Sequence, residues 1–330
     1  MYSAFDIDDL TSPLTVVTQT NNTVPNPFAV FERHGQIRCG TLAVRDLDQS
    51  LALYRDFLAL TVDEQGQISE TLAVSWGLSS MAGSRYAVLQ PESGALSYLR
   101  LVEVKNGPKI TPAKTLGWNA FEISVKDVFA LSEKLKKSEF DIVGPPKLVD
   151  GFTNFIPMQV FGPDGEVLFL NQVIHSDEHT ELPKAESAVD QLFIAVVASA
   201  EREKTAKEHV RFLGLDQGPA HSLRYSLINR AFDFDPETET AITMVNSGRL
   251  PFSQIDQYPP QASIRPAAPG ALPLGNSLLS VMVDCLDDLP ISEVAQGKVT
   301  RVEESFYQGR RVQTIKGSAS ELIELIEIES

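Results

Sequence analysis

The feature that most constrains the fold of this chain is a strand–helix unit that occurs more than once. Residues 37–60 (IRCGTLAVRDLDQSLALYRDFLAL) predict a strand, then Asp46 as a helix N-cap, then an amphipathic helix that ends near Leu-Ala-Leu. Residues 189–215 repeat this order, with LFIAVV as the strand, Ser199 at the cap and a helix that ends in FLGL. A repeated unit restricts the fold to architectures that stack or pair such units.

A second pair of units opens in the same way. The stretch NAFEISVKDVFALSEKL, after Trp118, again predicts a strand, an Asp cap and a helix with an apolar face, and NSLLSVMVDCLDDL, from Asn276, is its partner. Short strands separated by turn residues follow each opening: SRYAVLQ, LSYLRLVEV, NFIPMQVFGPDGEVLFLNQV, TAITMV, RRVQTIKG and ELIELIEI. We therefore predict four βαβββ modules, over residues 36–105, 116–173, 188–259 and 274–328, whose lengths alternate as in a duplicated pair.

The linkers between the modules divide the chain into two halves. Residues 105–114 and 258–273 are rich in Pro and Gly, and residues 174–186 are polar. We predict an N-terminal arm over 1–35, a domain over 36–175, a linker over 176–187 and a second domain over 188–330. The fold class is α+β, with cupped, mixed, mostly antiparallel sheets and helices on their outer faces. Each half is expected to complete its own cup, although the sequence leaves open an exchange of modules between the halves.

Composition and short motifs argue against several classes of function. The chain has 28 basic and 44 acidic side chains, a net charge of −16, which disfavours nucleic acid and anionic membrane surfaces as partners. It has no run of about 18 apolar residues and no basic, apolar leader, and its only cysteines, Cys39 and Cys285, fit a reducing compartment, so we expect a cytoplasmic protein. No glycine-rich nucleotide loop or G-x-S-x-G turn is present, so kinase, dehydrogenase and esterase functions lack support.

Four short motifs in a fixed order carry a resemblance to a known superfamily. They are LAVRDLDQSLALYRDFLAL in the first module, GPDGEVLFL at residues 162–170, SYLRLVEV, and the closing ELIELIE. The sequence resembles the vicinal oxygen chelate superfamily of glyoxalases, bleomycin-resistance proteins and extradiol dioxygenases. This resemblance implies that two βαβββ modules curl into a cup. It also implies that His, Gln or Glu side chains, at the start of the first strand and in the last strand of each module, hold a divalent metal.

The metal positions of this sequence carry few ligands. The positions that the resemblance assigns are, from the first module to the fourth, Cys39 and Arg100, Ala120 and Phe169, Leu192 and Gln254, and Leu278 and Glu324. A divalent ion needs three or four converging N or O ligands, whereas this set offers one carboxylate and one amide. We therefore expect no metal and no other cofactor, with a divalent metal as the alternative. His175 and His179 have H-x-x-x-H spacing, but their polar surroundings favour a solvated connector.

Three residues are candidates for proton transfer. Glu324 lies on an apolar face of the last predicted strand, where burial raises the pKa of a carboxyl and suits a general base or acid. Glu122 faces the predicted cup from the first strand of its module. His221, on a predicted strand, is the histidine best placed for a ligand pocket. The alternatives are an acidic strand in water for Glu324 and a structural role for His221.

The first module adds candidates for ligand binding. Arg100 and Tyr98 share a strand face, and an Arg in place of a ligand carboxylate converts a cation site into an anion site. Glu122 can pair with Arg100 across the cup, in which case the pair either binds a ligand or is an internal salt bridge. Cys39 also faces the cup. It is a reactive thiol if Arg100 lowers its pKa, and otherwise a small buried hydrophobe.

The second and third modules add two further binding candidates. Gln254 is predicted to share a strand face with Phe252, and its amide can hydrogen-bond a substrate carbonyl or cap an edge. Phe169, at the equivalent position of the second module, contributes to the apolar cavity that would hold the ligand.

These assignments support three functions. The first is a lyase or isomerase acting on a small organic molecule with a carbonyl, phenolic or carboxylate group, with Glu324 as the base and Arg100 or Gln254 as the oxyanion partner. The second is a non-catalytic small-molecule binding or resistance protein, and the third is a metal-dependent extradiol dioxygenase. We expect the N-terminal cup to bind an acidic or phenolic ligand through Arg100, and the chain to be a monomer or a weak homodimer.

Overall fold

The predicted modules are all present in the computed structural model, which describes residues 32–148, 153–178 and 180–328. The predicted arm up to residue 31 and His179 lie outside these residues. The first module comprises β1 (Ile37–Val44), α1 (Leu47–Leu58), β2 (Leu60–Gln67), α2 (Glu70–Trp76), β3 (Arg85–Pro91) and β4 (Tyr98–Glu103). The second comprises β5 (Thr115–Val125), α3 (Val128–Leu135), β6 (Asp141–Gly144), β7 (Phe155–Phe161) and β8 (Val167–Val173).

The third and fourth modules follow the same order with differences in their helices. The third comprises β9 (Val189–Ser199), α4 (Arg202–Leu213), β10 (Asp216–Arg224), α5 (Ser226–Ala231), β11 (Glu239–Ser247) and β12 (Leu250–Gln257). After the two-residue β13 (Ser263–Ile264), the fourth comprises β14 (Gly275–Val283), β15 (Thr300–Val302), β16 (Arg310–Lys316) and β17 (Leu322–Glu327). The additional helices α2 and α5 account for the greater length of the first and third modules. None of the helices in the described ranges is long and apolar enough to cross a membrane.

Local sequence signals place two of the helix starts. Asp46 caps α1 by accepting a hydrogen bond from the backbone N–H of Gln49 at 3.0 Å, as predicted. Asp127 caps α3 by accepting from two backbone N–H groups at 3.0 and 2.9 Å. The predicted cap Ser199 is wrong by two residues, because α4 begins after Glu201 and the Ser199 hydroxyl instead accepts from the Glu201 N–H.

The fourth module differs from the prediction because its helix is missing from the described chain. Only a 3-10 turn, Leu286–Asp288, follows β14. Pro290 comes two residues later, and its ring and missing N–H oppose the continuation of the turn into an α-helix. The strand–helix opening of this module is therefore shorter than that of the other three.

Two large sheets combine modules from opposite halves of the chain. The first has the strand order β15-β16-β17-β14-β1-β4-β3-β2, and the second has the order β10-β11-β12-β9-β5-β8-β7-β6. The modules meet through antiparallel pairing of their first strands, β1 with β14 and β5 with β9. The expectation that each half completes its own cup is therefore wrong: the first module pairs with the fourth, and the second with the third.

Each sheet has a cup face and an opposite face. The opposite faces meet in a central core with α1, α3 and α4. Gly40 on β1 allows the sheets to approach closely there, because a Cβ at this position would lie 2.8 Å from the Phe121 ring. The cup of the first sheet, which we call the first cup, is covered by α2 and the 3-10 turn Ser305–Tyr307. The cup of the second sheet, the second cup, is covered by α5.

Irregular pairing moves two predicted cup residues into the central core. A register shift between β5 and β9 turns Leu192 toward Gly40, and a shift between β11 and β12 turns Phe252 toward the ring of His209, with centroids 6.0 Å apart. An extra residue in one strand reverses the side on which the following residues lie. The predictions that Leu192 occupies a metal position and that Phe252 shares a face with Gln254 are therefore wrong.

Candidate functional site

Arg100 and Glu324 form a buried ion pair in the first cup. They lie at equivalent places in their modules, since Arg100 is paired with Thr41 of the neighbouring first strand and Glu324 with Ser280. Arg100 Nη2 is 3.5 Å from Glu324 Oε2, and the side chains are 1% and 0% exposed. The predicted partner of Arg100, Glu122, belongs to the other sheet, so that pairing is wrong.

The guanidinium of Arg100 is held by protein groups on all sides. Its Nε and Nη2 donate to Thr41 Oγ1 at 3.1 and 2.8 Å, and its Nη1 donates to the Tyr307 hydroxyl. The Trp76 ring lies beneath the guanidinium, with 4.7 Å between Cζ and the ring centroid. Burial lowers the pKa of Arg100, but Tyr307 and Glu324 raise it by more, so the residue stays charged.

The carboxylate of Glu324 is equally occupied. Trp76 Nε1 donates to its Oε1 at 2.5 Å, Ser280 donates to its Oε2, and the Tyr307 hydroxyl lies 2.8 and 2.9 Å from the two oxygens. Trp76 and Tyr307 are themselves 0% and 1% exposed. A general base must reach the substrate proton, whereas Glu324 is 0% exposed and both of its oxygens are occupied by buried protein donors.

The remaining predicted residues of the first cup are packed in its interior. Cys39 is fully buried, and burial raises its pKa to about 12 against the opposing effect of Arg100, so it is a neutral thiol. Tyr98 stacks on Phe306 with ring centroids 5.1 Å apart. Arg100 supplies the positive charge where the resemblance implies a metal, so the side chains of this cup do not fit a divalent ion. No three His, Cys, Asp or Glu side chains converge anywhere in the described ranges.

The second cup contains two buried carboxyls instead of an ion pair. Glu122 on β5 is 5% exposed and accepts a hydrogen bond from Asn171 Nδ2 at 2.6 Å. Burial raises the pKa of Glu122 to about 7, with Asn171 opposing the change. Asp256 on β12 is 0% exposed and accepts from Gln254 Nε2 at 2.8 Å. Burial raises the pKa of Asp256 well above its ordinary value, and the proximity of Glu122 adds to this effect.

Several polar atoms of the second cup have no partner in the described protein. They are Asn171 Oδ1, Asp256 Oδ2 and the Tyr258 hydroxyl, on residues that are 0%, 0% and 2% exposed. Burial, together with the proximity of Asp256 and Glu122, raises the pKa of Tyr225 well above its ordinary value, a hydrogen bond from Gln254 opposes this, and the Tyr225 ring contacts the Phe169 ring at 6.4 Å between centroids. Buried polar groups are nearly always hydrogen-bonded, so unpartnered ones need a bound molecule or water.

The structure divides the predicted site residues between the two cups. The first cup holds Glu324, Arg100, Cys39 and Tyr98, and the second sheet holds Glu122, Phe169, Gln254 and His221. His221 lies on the edge strand β10, in the same cross-strand row as Asp256, and its side chain is exposed. The predicted set is therefore not a single site.

The sequence predictions missed residues of both cups. Asp256 and Asn171 each lie two positions beyond a predicted cup residue on the same strand, so strand alternation was a signal for them. Trp76, Tyr307 and Tyr225 come from helical segments that fold over the cups or begin there. No local pattern identifies these three, because their positions depend on which sheet each segment covers.

Comparison with known proteins shows the fold. No family model and no curated protein sequence matches the chain. Among solved structures, glyoxalase I from Zea mays is similar over 88% of this chain and 92% of its own, with 14% identity and a TM-score of 0.55. A candidate dioxygenase from Bacillus subtilis is similar over 90% of this chain and 86% of its own, with 13% identity and a TM-score of 0.58. The chain therefore has the fold of the vicinal oxygen chelate superfamily, built from four modules of which three are βαβββ and the fourth has a 3-10 turn in place of the helix.

Proposed function

We propose that the second cup binds a small organic molecule and that Glu122 is its acid–base group, in a lyase or isomerase reaction of the glyoxalase-like kind. The observation that carries this proposal is the set of buried, unpartnered polar atoms on Asn171, Asp256 and Tyr258. In the first cup the charged groups of Arg100 and Glu324 satisfy each other, although the Thr314 hydroxyl, opposite Glu324, is buried without a partner in the described protein. The proposed base is therefore Glu122 in place of Glu324.

The chemistry of Glu122 suits proton transfer near neutral pH. A carboxyl with a pKa of about 7 is present in both forms there, so it can remove a proton from an acidic C–H bond and return it to a neighbouring atom. Asn171 holds the carboxyl in place at 2.6 Å. The hydroxyls of Tyr225 and Tyr258 are the available donors for a ligand oxygen that gains charge during the transfer, since the Gln254 amide is already directed at Asp256.

Access to this cup is from the side of Gln254. Gln254, Met244 and Gln159 lie on cross-strand rows of the cup face and are partly exposed. The residues farther inside, among them Phe169 and Tyr225, are buried and largely aromatic. A partly open rim with an apolar interior and a few polar groups is the usual form of a small-molecule site.

The extradiol dioxygenase alternative is the least supported of the three functions. Its metal would need ligands at the expected positions of one cup. In the first cup these positions hold Cys39, Arg100, Leu278 and Glu324. In the second cup they include Ala120, Phe169 and Gln254. Neither donor set fits a divalent ion. The alternative of a non-catalytic binding protein is supported by the same unpartnered polar atoms of the second cup. It differs from the proposed enzyme only in that Glu122 would not transfer a proton.

A ligand screen followed by a proton-exchange assay separates these functions. The wild-type chain is screened by thermal shift with 2-oxoaldehydes, with and without a thiol, and with aromatic acids and aromatic amines. Each compound that stabilises the chain is then incubated with it in D2O, and NMR measures deuterium incorporation. Glu122→Gln is expected to keep the stabilisation and to lose the catalysed exchange.

Glu166→Gln is the matched control. Glu166 is also buried with its pKa raised to about 7 by burial, but it lies in the turn before β8, where Tyr54 donates to it at 3.2 Å. This variant is expected to retain both activities. Exchange that survives Glu122→Gln overturns Glu122 as the base, and stabilisation of the wild type without any exchange leaves only the binding function. Stabilisation that is lost in Glu324→Gln but kept in Glu122→Gln overturns the choice of cup.

The proposed site is complete within one chain. Its strand residues come from β5, β8 and β12, which together with β9 are consecutive neighbours in one sheet, and Tyr225 and Tyr258 directly adjoin strands β10 and β12 of the same sheet. A monomer or weak homodimer is therefore sufficient for the proposed function, and sedimentation equilibrium is expected to give the mass of one or two chains. The free thiols Cys39 and Cys285 fit a cytoplasmic location as part of the same proposal.

A further inference from the structure

The unpartnered atoms of the second cup also bear on the charge of its ligand. We propose that the polar end of this ligand is a protonated amine or a similar cationic N–H donor, held by Asp256 and Glu122, and that an aromatic or other apolar body fills the cup. This inference rests on the proposed function, because it takes the second cup as the binding site.

Two of the three unpartnered polar atoms of the cup are acceptors, and the third, the Tyr258 hydroxyl, can donate or accept. Asp256 Oδ2 and Asn171 Oδ1 are buried and unpartnered, and each can accept a hydrogen bond from an N–H group. The amide N–H groups of Asn171 and Gln254 are already directed at Glu122 and Asp256. A ligand carboxylate would meet two carboxyls and few available donors, whereas an ammonium group supplies the missing donors and a balancing charge.

No cation of the described protein balances these carboxyls. Burial raises the pKa of Glu122 and Asp256, one amide each opposes this, and the proximity of Glu122 raises the pKa of Asp256 further. Neither carboxyl forms an ion pair with a described Arg, Lys or His. Arg265 lies near Tyr258, but its Nε donates to Thr115 Oγ1 at 2.9 Å and its two Nη atoms donate to backbone carbonyls at 2.5 and 2.7 Å. A buried carboxylate without a cation is costly, so a cationic ligand stabilises the ionised form.

Aromatic rings add a second attraction for a cation. The Phe169 ring contacts the Tyr225 ring at 6.4 Å between centroids, whereas the Phe232 ring, 5.8 Å from that of Tyr258, already faces Lys114 Nζ at 6.0 Å. Ring faces attract ammonium groups, most strongly where water is excluded. The net charge of −16 favours the approach of a cation over that of an anion. The earlier expectation of an acidic ligand depended on Arg100, which Glu324 occupies in the other cup.

Three probes with one body and different charges test the inference. Benzylamine, benzyl alcohol and benzoate are cationic, neutral and anionic at pH 7, and isothermal titration calorimetry on the full chain measures their affinities. Benzylamine is expected to bind at least about tenfold more tightly than benzyl alcohol, and benzoate more weakly than either. Asp256→Asn keeps the side-chain shape and is expected to reduce benzylamine affinity by about tenfold or more, with little change for benzyl alcohol.

The controls separate failure of the inference from failure of the proposed function. Glu166→Gln removes a buried carboxyl outside the cup and is expected to leave all three affinities unchanged. If Asp256→Asn does not fold, Glu122→Gln provides the same comparison. If benzyl alcohol or benzoate binds as tightly as benzylamine, and either cup variant weakens that binding, the ligand need not be cationic. The second cup then remains the binding site. The inference is overturned if benzylamine does not bind, or if neither cup variant weakens its binding. The thermal-shift screen described above then tests the proposed function independently.

Discussion

Arg100 and Glu324 should behave as a mutually dependent pair, so that separating them destabilises the chain more than removing both. The perturbation is a double-mutant cycle of Arg100→Met, Glu324→Met and the double variant. Methionine is flexible and apolar, so it fills much of the space that each side chain leaves. The cycle isolates the interaction between the two positions from the cost of each substitution.

The expected magnitude follows from the burial of the pair. Both side chains are at most 1% exposed, so each single substitution leaves an unpaired charge that water does not reach. Such a charge costs about 3–5 kcal/mol of unfolding free energy. The double variant has no buried charge and loses only the hydrogen bonds of neighbours such as Thr41 and Ser280, at about 1 kcal/mol each. The two single effects together are about 6–10 kcal/mol and the double effect is about 2 kcal/mol, so we expect a coupling of at least about 4 kcal/mol between the two substitutions.

Urea unfolding followed by tryptophan fluorescence measures this cycle. The chain has two tryptophans, Trp76 and Trp118, and Trp76 contacts both members of the pair, so the signal also reports on the first cup. Differences in the urea midpoint report stability when the slope of the unfolding free energy against urea concentration is the same for all variants. Arg311→Met is the control, because the pairs of Arg311 with Asp287 at 2.7 Å and with Glu327 at 3.1 Å are partly exposed and should contribute at most about 1 kcal/mol each.

Two results would refute this reasoning. The first is additivity, in which the double variant loses the sum of the single effects to within about 0.5 kcal/mol. The second is a stability of Arg100→Met within about 1 kcal/mol of the wild type, the range of an exposed pair. The folded double variant is also expected to bind ligand as the wild type does, because the proposed site lies in the second cup. If the double variant loses ligand binding, the first cup is part of the binding site.

The other predictions concern stability. Stability should fall as pH rises from about 4.5 to 7, because burial raises the pKa of Glu122 and Glu166 in the folded chain to about 7. The protonated carboxyls contribute their full stabilisation below the pKa of the unfolded chain. This contribution is lost as pH rises through the pKa of the folded chain. Each of the two carboxyls accounts for at most about 3 kcal/mol of pH-dependent unfolding free energy. Glu122→Gln should therefore flatten the plot of urea midpoint against pH between pH 4 and 8, and an unchanged slope would contradict this. Gly40→Ala should cost about 1–3 kcal/mol, since its Cβ would lie 2.8 Å from the Phe121 ring, and a wild-type midpoint would show that the sheets have room. Asp127→Ala should cost about 1 kcal/mol and speed amide exchange at the start of α3, while unchanged exchange would exclude a capping role.

The modules, the helix caps at Asp46 and Asp127 and the face of most strand residues were predictable because they depend on local interactions. A cap involves residues three positions apart, and alternation along a strand places Glu122 and Gln254 on the cup side. The same alternation placed Arg100 and Glu324 on cup faces, although it could not identify them as partners.

Only the tertiary structure decided which modules pair. The first strand of every module offers similar backbone donors and acceptors at its edge, so hydrogen bonding alone does not distinguish β14 from β5 as the partner of β1. The choice depends on how whole faces are buried against each other. Single extra residues near Leu192 and Phe252 then reverse the side of a strand without a pattern in the local sequence. The module pairing places Arg100 against Glu324 and leaves Glu122 and Asp256 together without a cation. The candidate site is therefore set by contacts between distant segments, whereas the elements that carry it are set locally.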